Sequence, residues 1–361
     1  MAARQRTVLI RQFIIQHVET HPDDITSFTA KQFGVTLQAV RNHLNALRTA
    51  GVLVPFGRTS DRKWSLVILN RFARNYQIAG LQEDVPWSNE IKPLLAGVPA
   101  NVVDICGTGF TEMLNNAIDH SESAEVEVQM LHTAASIQFR IADRGIGVFR
   151  KVKEACGLAD EREAILELAK GKLTTSPARH SGYGIFFTSR MVDIFTLASG
   201  KLLFTHVQPD DDWLYELDRT PIEGTFVDFT ISTANVRTPA EVYDQFCPLD
   251  ENDEFAFSKT HVPIQIAQYD NEQLVSRSQA KRVLSRFDKF REVMLDFQGV
   301  EMIGQSFADE IFRVFPLAHP NVKILFRNAS PNVAKMIRLA TSRYAREQGQ
   351  ADSHQRTLFD P

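Results

Sequence analysis

Between residues 112 and 225 the chain sets out four groups in order: Glu112 with Asn116, Asp143-x-Gly145-x-Gly147, Gly182-x-Gly184, and Gly224-Thr225. Each group asks for a particular backbone, so together they restrict the fold more than any compositional property does. The stretch TEMLNNAIDH (111–120) has the apolar spacing of an amphipathic helix, on which Glu112 and Asn116 share one face, four residues apart. A carboxylate there can orient or deprotonate a water. An amide oxygen one turn later can ligate Mg2+, a hard cation that prefers oxygen and keeps part of its water shell. His120 extends the same face by another turn. Taken alone, the stretch is equally what a solvated charged helix face looks like.

The downstream groups change that balance. AEVEVQMLHTAASIQFRIADRGIGV predicts two strands, 125–131 and 136–141, the second running into Asp143. An aspartate at a strand end, followed by two glycines that let backbone approach a flat ligand, can accept a hydrogen bond from an adenine amino group. Gly182 and Gly184 open an apolar helix whose first N–H groups can receive phosphate, and Thr225 begins a further strand.

The ordered set resembles the N, G1, G2 and terminal threonine boxes of the GHKL ATPase superfamily, which includes histidine kinases, gyrase-type ATPases, Hsp90, MutL and anti-sigma-factor serine kinases. The resemblance covers residues 82–233. It implies a Bergerat-type α/β sandwich of helices on a mixed, mainly antiparallel sheet, with ATP and Mg2+ between the layers. By this resemblance Asn116 ligates Mg2+ and Glu112 positions or activates the nucleophile. Asp143 binds adenine, with Gly145 and Gly147 making room and Thr225 in support, while Gly182, Tyr183 and Gly184 contact phosphates. Residues 149–181 become a mobile lid, where Lys170, Lys172, Arg179 and His180 are either phosphate contacts or members of a solvated loop. A histidine kinase also needs a phosphoacceptor hairpin before this domain. The 41 residues between Asn70 and Glu112 include Pro86, Pro93 and Pro99 and leave no room for one, so His120 is expected beside the site and not as a phosphoacceptor.

At 361 residues the chain exceeds what one hydrophobic core usually serves, so two or three domains are expected. The net charge of −4 hides an asymmetry. Residues 1–75 hold eleven Lys and Arg against four Asp and Glu, an excess of +7, which leaves −11 for the remainder. Val8, Ile10, Phe13, Ile14 and Val18 predict a first helix ended by Pro22, and a second and third helix flank a turn at Gly34, with Val40, Leu44 and Leu47 facing inward. Two short strands around a basic tip follow. This segment resembles a winged helix of the bacterial regulator type, which implies that Gln38, Arg41, Asn42 and Asn45 face DNA and that Arg58, Arg62 and Lys63 meet phosphates from the wing. A winged helix that serves only protein contacts is the alternative.

From Val262 onward strands alternate with helices, beginning with a strand VPIQIAQ, and predict a small α/β unit. MLDFQGVEMIGQSFADEIF resembles the phosphorylation region of STAS domains, most closely the STAS-like domains found attached to GHKL ATPases. That places Ser306 where the phosphorylatable serine stands, although Gly304-Gln305 replaces the usual Asp-Ser, and Ser306 with Asp309 also fits a helix-capping pattern.

The expected class is therefore α+β and multidomain: a winged helix-turn-helix over 1–75, a GHKL domain over 82–235, a STAS-like domain over 255–345 and a flexible tail over 346–361. Cys106, Cys156 and Cys247 stand far apart without a CxxC pair, which supports neither a disulfide framework nor a zinc knuckle and fits a reducing cytoplasm. No apolar run is long enough for a membrane span. The resemblances imply an ATP-binding, ATP-hydrolysing regulator that binds DNA, with a protein partner for the STAS-like part and a homodimer as family habits. The alternatives are a serine kinase acting on Ser306 or a partner, and a scaffold that binds ATP without turnover.

Overall fold

The computed structural model describes residues 2–57, 62–173, 182–209, 211–218, 220–247, 257–268 and 273–343. Arg58, Arg179, His180 and the segment 346–361 lie outside them.

The N-terminal unit is built from α1 (Ala2–His17), α2 (Ile25–Phe33) and α3 (Leu37–Thr49), then an antiparallel ribbon of β1 (Leu53–Phe56) and β2 (Lys63–Leu66). Gly34, in the left-handed region at φ 59°, ends α2, and the Thr36 hydroxyl starts α3 by accepting the Ala39 N–H at 3.2 Å. The unit has its own core, in which Ile10, Ile14, Val40, Leu44, Leu47 and Trp64 meet. Val8, expected in the inward stripe of α1, is instead 49% exposed, because Ile10 and Ile14 carry that stripe and Val18 continues it beyond the helix.

β3 (Asn70–Gln77) corrects the expected domain boundary at residue 75. It pairs along its whole length with β4 (Glu125–His132), from Asn70 opposite His132 to Gln77 opposite Glu125, as the edge of the central sheet. A short helical run from α4 (Asp84–Pro86) to Leu95 then sets Trp87 against Phe110 of α5 (Ala100–His120). The remaining central elements are β5 (Ser136–Asp143), α6 (Val148–Cys156), α7 (Glu161–Lys170), α8 (Gly184–Met191), β6 (Ile194–Gly200), β7 (Leu202–Val207), β8 (Asp211–Glu216) and β9 (Ile222–Ser232). The sheet order is β3-β4-β5-β9-β6-β7-β8, and every pairing is antiparallel rather than mixed. Its inner face buries Val128, Phe139, Phe195 and Phe229 beneath α5, with the Phe139 and Phe229 rings stacked at 5.0 Å. The outer face is polar: Arg140 and Gln138 both bond Asp228.

The period-2 alternation of β5 has a consequence for the site. Ile137, Phe139 and Ile141 point inward, so the same parity sends Asp143 into the buried layer at the strand's end.

After α9 (Pro239–Phe246) comes a parallel three-stranded sheet, β10 (Lys259–Pro263), β11 (Glu292–Asp296) and β12 (Lys323–Arg327), in that order. α10 (Arg277–Leu284), then α11 (Gln305–Asp309) running through a π turn into α12 (Phe315–Ala318), and a helix over 331–343 complete the unit. The strand expected through Gln268 stops at Pro263, which has no N–H for a ladder, and a 3-10 turn replaces it. The central and C-terminal units share one continuous apolar core.

Candidate nucleotide site

A cavity of about 280 Å³ opens between α5 and the ends of β5 and β9. Its floor is apolar, with Ile141, Leu197 and Val227, and its polar groups converge from three directions. α5 supplies Glu112, Asn116 and His120, on the face that the i, i+4 spacing anticipates; away from the cavity the helix buries Phe110 and Leu114. β5 supplies Asp143 and β9 supplies Thr225, while α6 contributes Lys151, and Gly182 and Gly184 stand at the start of α8.

Asp143 is the best-determined polar group. Its Oδ1 accepts the N–H of Gly145 at 2.9 Å and that of Thr225 at 3.2 Å. The Thr225 hydroxyl adds a further bond to it and itself accepts the Val148 N–H at 3.0 Å. Burial pushes the carboxyl above the usual aspartate range, and the bonds from Gly145 and Thr225 offset this only in part. A carboxylate has about four acceptor sites. Three donors from the chain leave one for a group in the cavity.

The glycines serve packing more than ligand access. A Cβ on Gly145 would lie 1.7 Å from the Ser121 carbonyl oxygen, and one on Gly147 would lie 2.4 Å from Ser199 Oγ. Neither borders the cavity: they let the end of β5 pass against the end of α5 and against β6. Gly184 acts differently. A Cβ there would meet Glu112 Oε2 at 2.3 Å, so its bareness seats the Glu112 carboxylate at the N-terminus of α8. Gly182 (φ 73°) lies against Leu173, whose N–H bonds its carbonyl at 3.2 Å.

Two other assignments also change. The Tyr183 ring packs edge-on against Phe187 and Phe257, in an aromatic cluster outside the cavity. Lys170 and Lys172 do not border the cavity either. Lys170 is wholly buried against Glu167, and Lys172 Nζ donates to the Lys289 carbonyl at 2.7 Å. Sequence reasoning missed Lys151, whose ammonium bonds the His120 carbonyl at 2.7 Å and Glu122 at 3.0 Å. The signal was present in the sequence: Val148, Lys151 and Val152 recur at helical spacing directly after Gly147, and all three border the cavity.

In the N-terminal unit, Gln38, Arg41, Asn42 and Asn45 are all exposed along α3, with Gln38 bonded to Asn42 at 3.2 Å. Arg62 is exposed, but Lys63 is partly engaged by Asp23 at 2.7 Å. Ser306 is exposed at the second residue of α11. It does not cap: Gly304 holds the cap position without a side-chain bond, and Asp309 is held by Arg313 at 2.7 and 2.6 Å.

The comparisons with known proteins agree with this geometry. Residues 87–202 match the family model described as histidine kinase-like ATPase domain, and residues 279–334 match that described as STAS-like domain of unknown function (DUF4325). The chain carries a histidine kinase-like ATPase domain. No curated protein matches it. The ATPase match spans α5, Asp143, Gly182 and Gly184, and the STAS-like match spans β11 and Ser306.

Such a domain implies ATP, typically with Mg2+. The residues of the cavity fit both. The Asn116 amide nitrogen is buried and has no hydrogen-bond partner among the described residues, so it is a donor open to an oxygen acceptor such as a phosphate, while the amide oxygen is the atom that could ligate the ion. A cavity of about 280 Å³ is at the lower edge of the range for small-molecule sites. Among the described residues no three His, Cys, Asp or Glu side chains converge on a metal position. An ion here would take Asn116 and phosphate oxygens, the mode in which Mg2+ is commonly held. No helix of the described residues is long and apolar enough to cross a membrane.

Proposed function

We propose that this chain is a Mg-ATP-dependent regulator that binds duplex DNA through its N-terminal unit. The observation that carries the nucleotide part is Asp143, buried with one acceptor site left and facing a cavity that also holds the unpartnered Asn116 amide. Adenine is received at Asp143 and Thr225. The phosphates lie toward Asn116, Lys151 and the N-terminus of α8, where N–H groups and a lysine favour anions. Bound Mg2+ supplies charge neutralisation of the phosphates. Glu112, seated beside Gly184, orients or deprotonates the attacking water, and turnover resets the regulator.

For DNA, the support is the excess of nine Lys and Arg over four Asp and Glu in residues 1–69, before β3, and the exposed polar face of α3, above a helix-turn-helix followed by a two-stranded ribbon. Binding to duplex is expected to weaken steeply and log-linearly with salt as phosphate counterions are released. Fluorescence anisotropy across a salt series, with and without ATP, measures this. Absence of binding at low salt in both conditions rejects the DNA part.

A second reading, serine phosphorylation within the STAS-like domain, is favoured by Ser306 itself, exposed and without a capping role. Incubation with γ-labelled ATP is then expected to leave label on the protein, lost in Ser306→Ala. Release of free phosphate alone sinks the reading for this serine.

A further inference from the structure

Three successive carbonyls at the end of α7 are each taken by a side chain of the C-terminal domain. The Thr260 hydroxyl donates to Lys170 O at 2.7 Å, and the Arg286 guanidinium donates to Gly171 O at 3.0 Å and to Lys172 O. Arg286 also pairs with Glu167 at 3.0 Å, and the Lys172 ammonium lies 4.9 Å from the centre of the Phe290 ring. Gly171 (φ 75°) threads between Phe257 and Phe186: a Cβ would meet them at 2.7 and 3.1 Å, so only glycine passes. Leu173, which follows Lys172, is a wall of the nucleotide cavity and is bonded to Gly182, another wall residue. One peptide unit thus separates the clasp from the cavity.

At its far end α8 is anchored within the central domain. Arg190 reaches a buried pair, His206 with Asp212 at 2.9 Å. Burial raises Asp212, but the charges of Arg190, His206 and, from the C-terminal domain, His261 more than offset it and hold the carboxyl below its ordinary range.

We propose that the STAS-like domain positions the nucleotide site of its own chain, with Arg286 as the positioning residue that fixes the cavity wall at Leu173. The inference rests on the nucleotide-binding reading above and adds the source of regulation. Whatever engages or releases the STAS-like domain at this clasp changes how much of the wall is ordered before nucleotide arrives, and binding has to supply the ordering that is missing. By linkage, nucleotide must tighten the clasp by the same factor that the clasp tightens nucleotide.

Arg286 itself has φ 63°, a conformation that glycine adopts without strain, so Arg286→Gly removes the guanidinium and leaves the backbone at ease. Calorimetry with Mg2+ and a nonhydrolysable ATP analogue is expected to show binding weakened roughly tenfold in Arg286→Gly and largely recovered in Arg286→Lys. Hydrogen exchange is expected to show that the analogue slows exchange over residues 287–290 in the wild type and not in Arg286→Gly. A merely structural role for Arg286 moves neither readout at temperatures where both proteins are folded. Equal affinity in folded Arg286→Gly, or no effect of the analogue on 287–290 in a wild type that binds it, overturns the proposal. A wild type that binds no adenine nucleotide overturns the reading beneath it, and this inference with it.

Discussion

Asp143→Asn is expected to weaken adenine-nucleotide binding about a hundredfold while leaving the thermal midpoint of the free protein unchanged or slightly raised. The two effects separate because they use different oxygens' worth of capacity. The asparagine oxygen can still accept the N–H groups of Gly145 and Thr225, which hold the turn after β5. The group left for the cavity becomes an N–H, which meets the adenine amino group donor to donor. Stability does not suffer in the same way. Burial raises the folded pKa of Asp143, so above its ordinary pKa the ionised carboxyl opposes folding, and the amide removes that opposition. The same shift sets the pH dependence. On acidification the wild type loses affinity as pH falls through the raised pKa, at higher pH than an ordinary aspartate would cause, whereas the component due to this residue is absent in Asp143→Asn. Calorimetric titrations across the acid range, paired with thermal melts, test both halves. Unchanged affinity in the variant removes Asp143 from the site.

The parts of this site that were legible in the sequence are those whose geometry is local. Glu112 and Asn116 share a face because a helix repeats every 3.6 residues, and Asp143 points inward because β5 alternates every two. The misassigned residues depend on partners far along the chain. Lys172 looks like a phosphate ligand until Lys289 and Phe290, more than a hundred residues later, close over it. Tyr183, between two box glycines, turns its ring to Phe257 for the same reason. β3 is not announced by the sequence, because its partner strand begins only at Glu125 and its own side chains are too exposed to mark a core strand. Gly145 and Gly147 were recognised as needed, but what they admit is Ser121 and Ser199, contacts that only tertiary structure creates. The order of motifs thus disclosed which residues meet at the cavity, and the long-range packing that mounts a second domain on its wall stayed hidden.

That packing makes Glu167→Ala the substitution expected to cost the most stability, about 3–5 kcal/mol, because it takes the shared carboxylate from the wholly buried Lys170 ammonium and the half-buried Arg286 guanidinium at once. Glu167 is 3% exposed and accepts from Lys170 Nζ at 2.7 Å on one oxygen and from Arg286 at 3.0 Å on the other. The Lys170 side chain is fully buried, and burial pushes its ammonium down to about 8 against the opposing pull of Glu167. Lys170→Met is expected to cost much less. It removes a charge that is expensive to bury, and Glu167 keeps Arg286; the loss is the pair of bonds to the Arg282 and Ser285 carbonyls. The double variant Glu167→Ala/Lys170→Met should then recover part of the cost of Glu167→Ala, a coupling that a double-mutant cycle on denaturation data reads directly. A pH series adds an independent sign. Between about 8 and the ordinary lysine pKa the unfolded chain binds a proton that folded Lys170 has given up, so stability contributed by this residue rises with pH across that window. The wild type should gain on Lys170→Met as pH is raised from 8 to 10. A Glu167→Ala protein as stable as the wild type would show that these charges are not buried together, and the clasp between α7 and the STAS-like domain would lose its foundation.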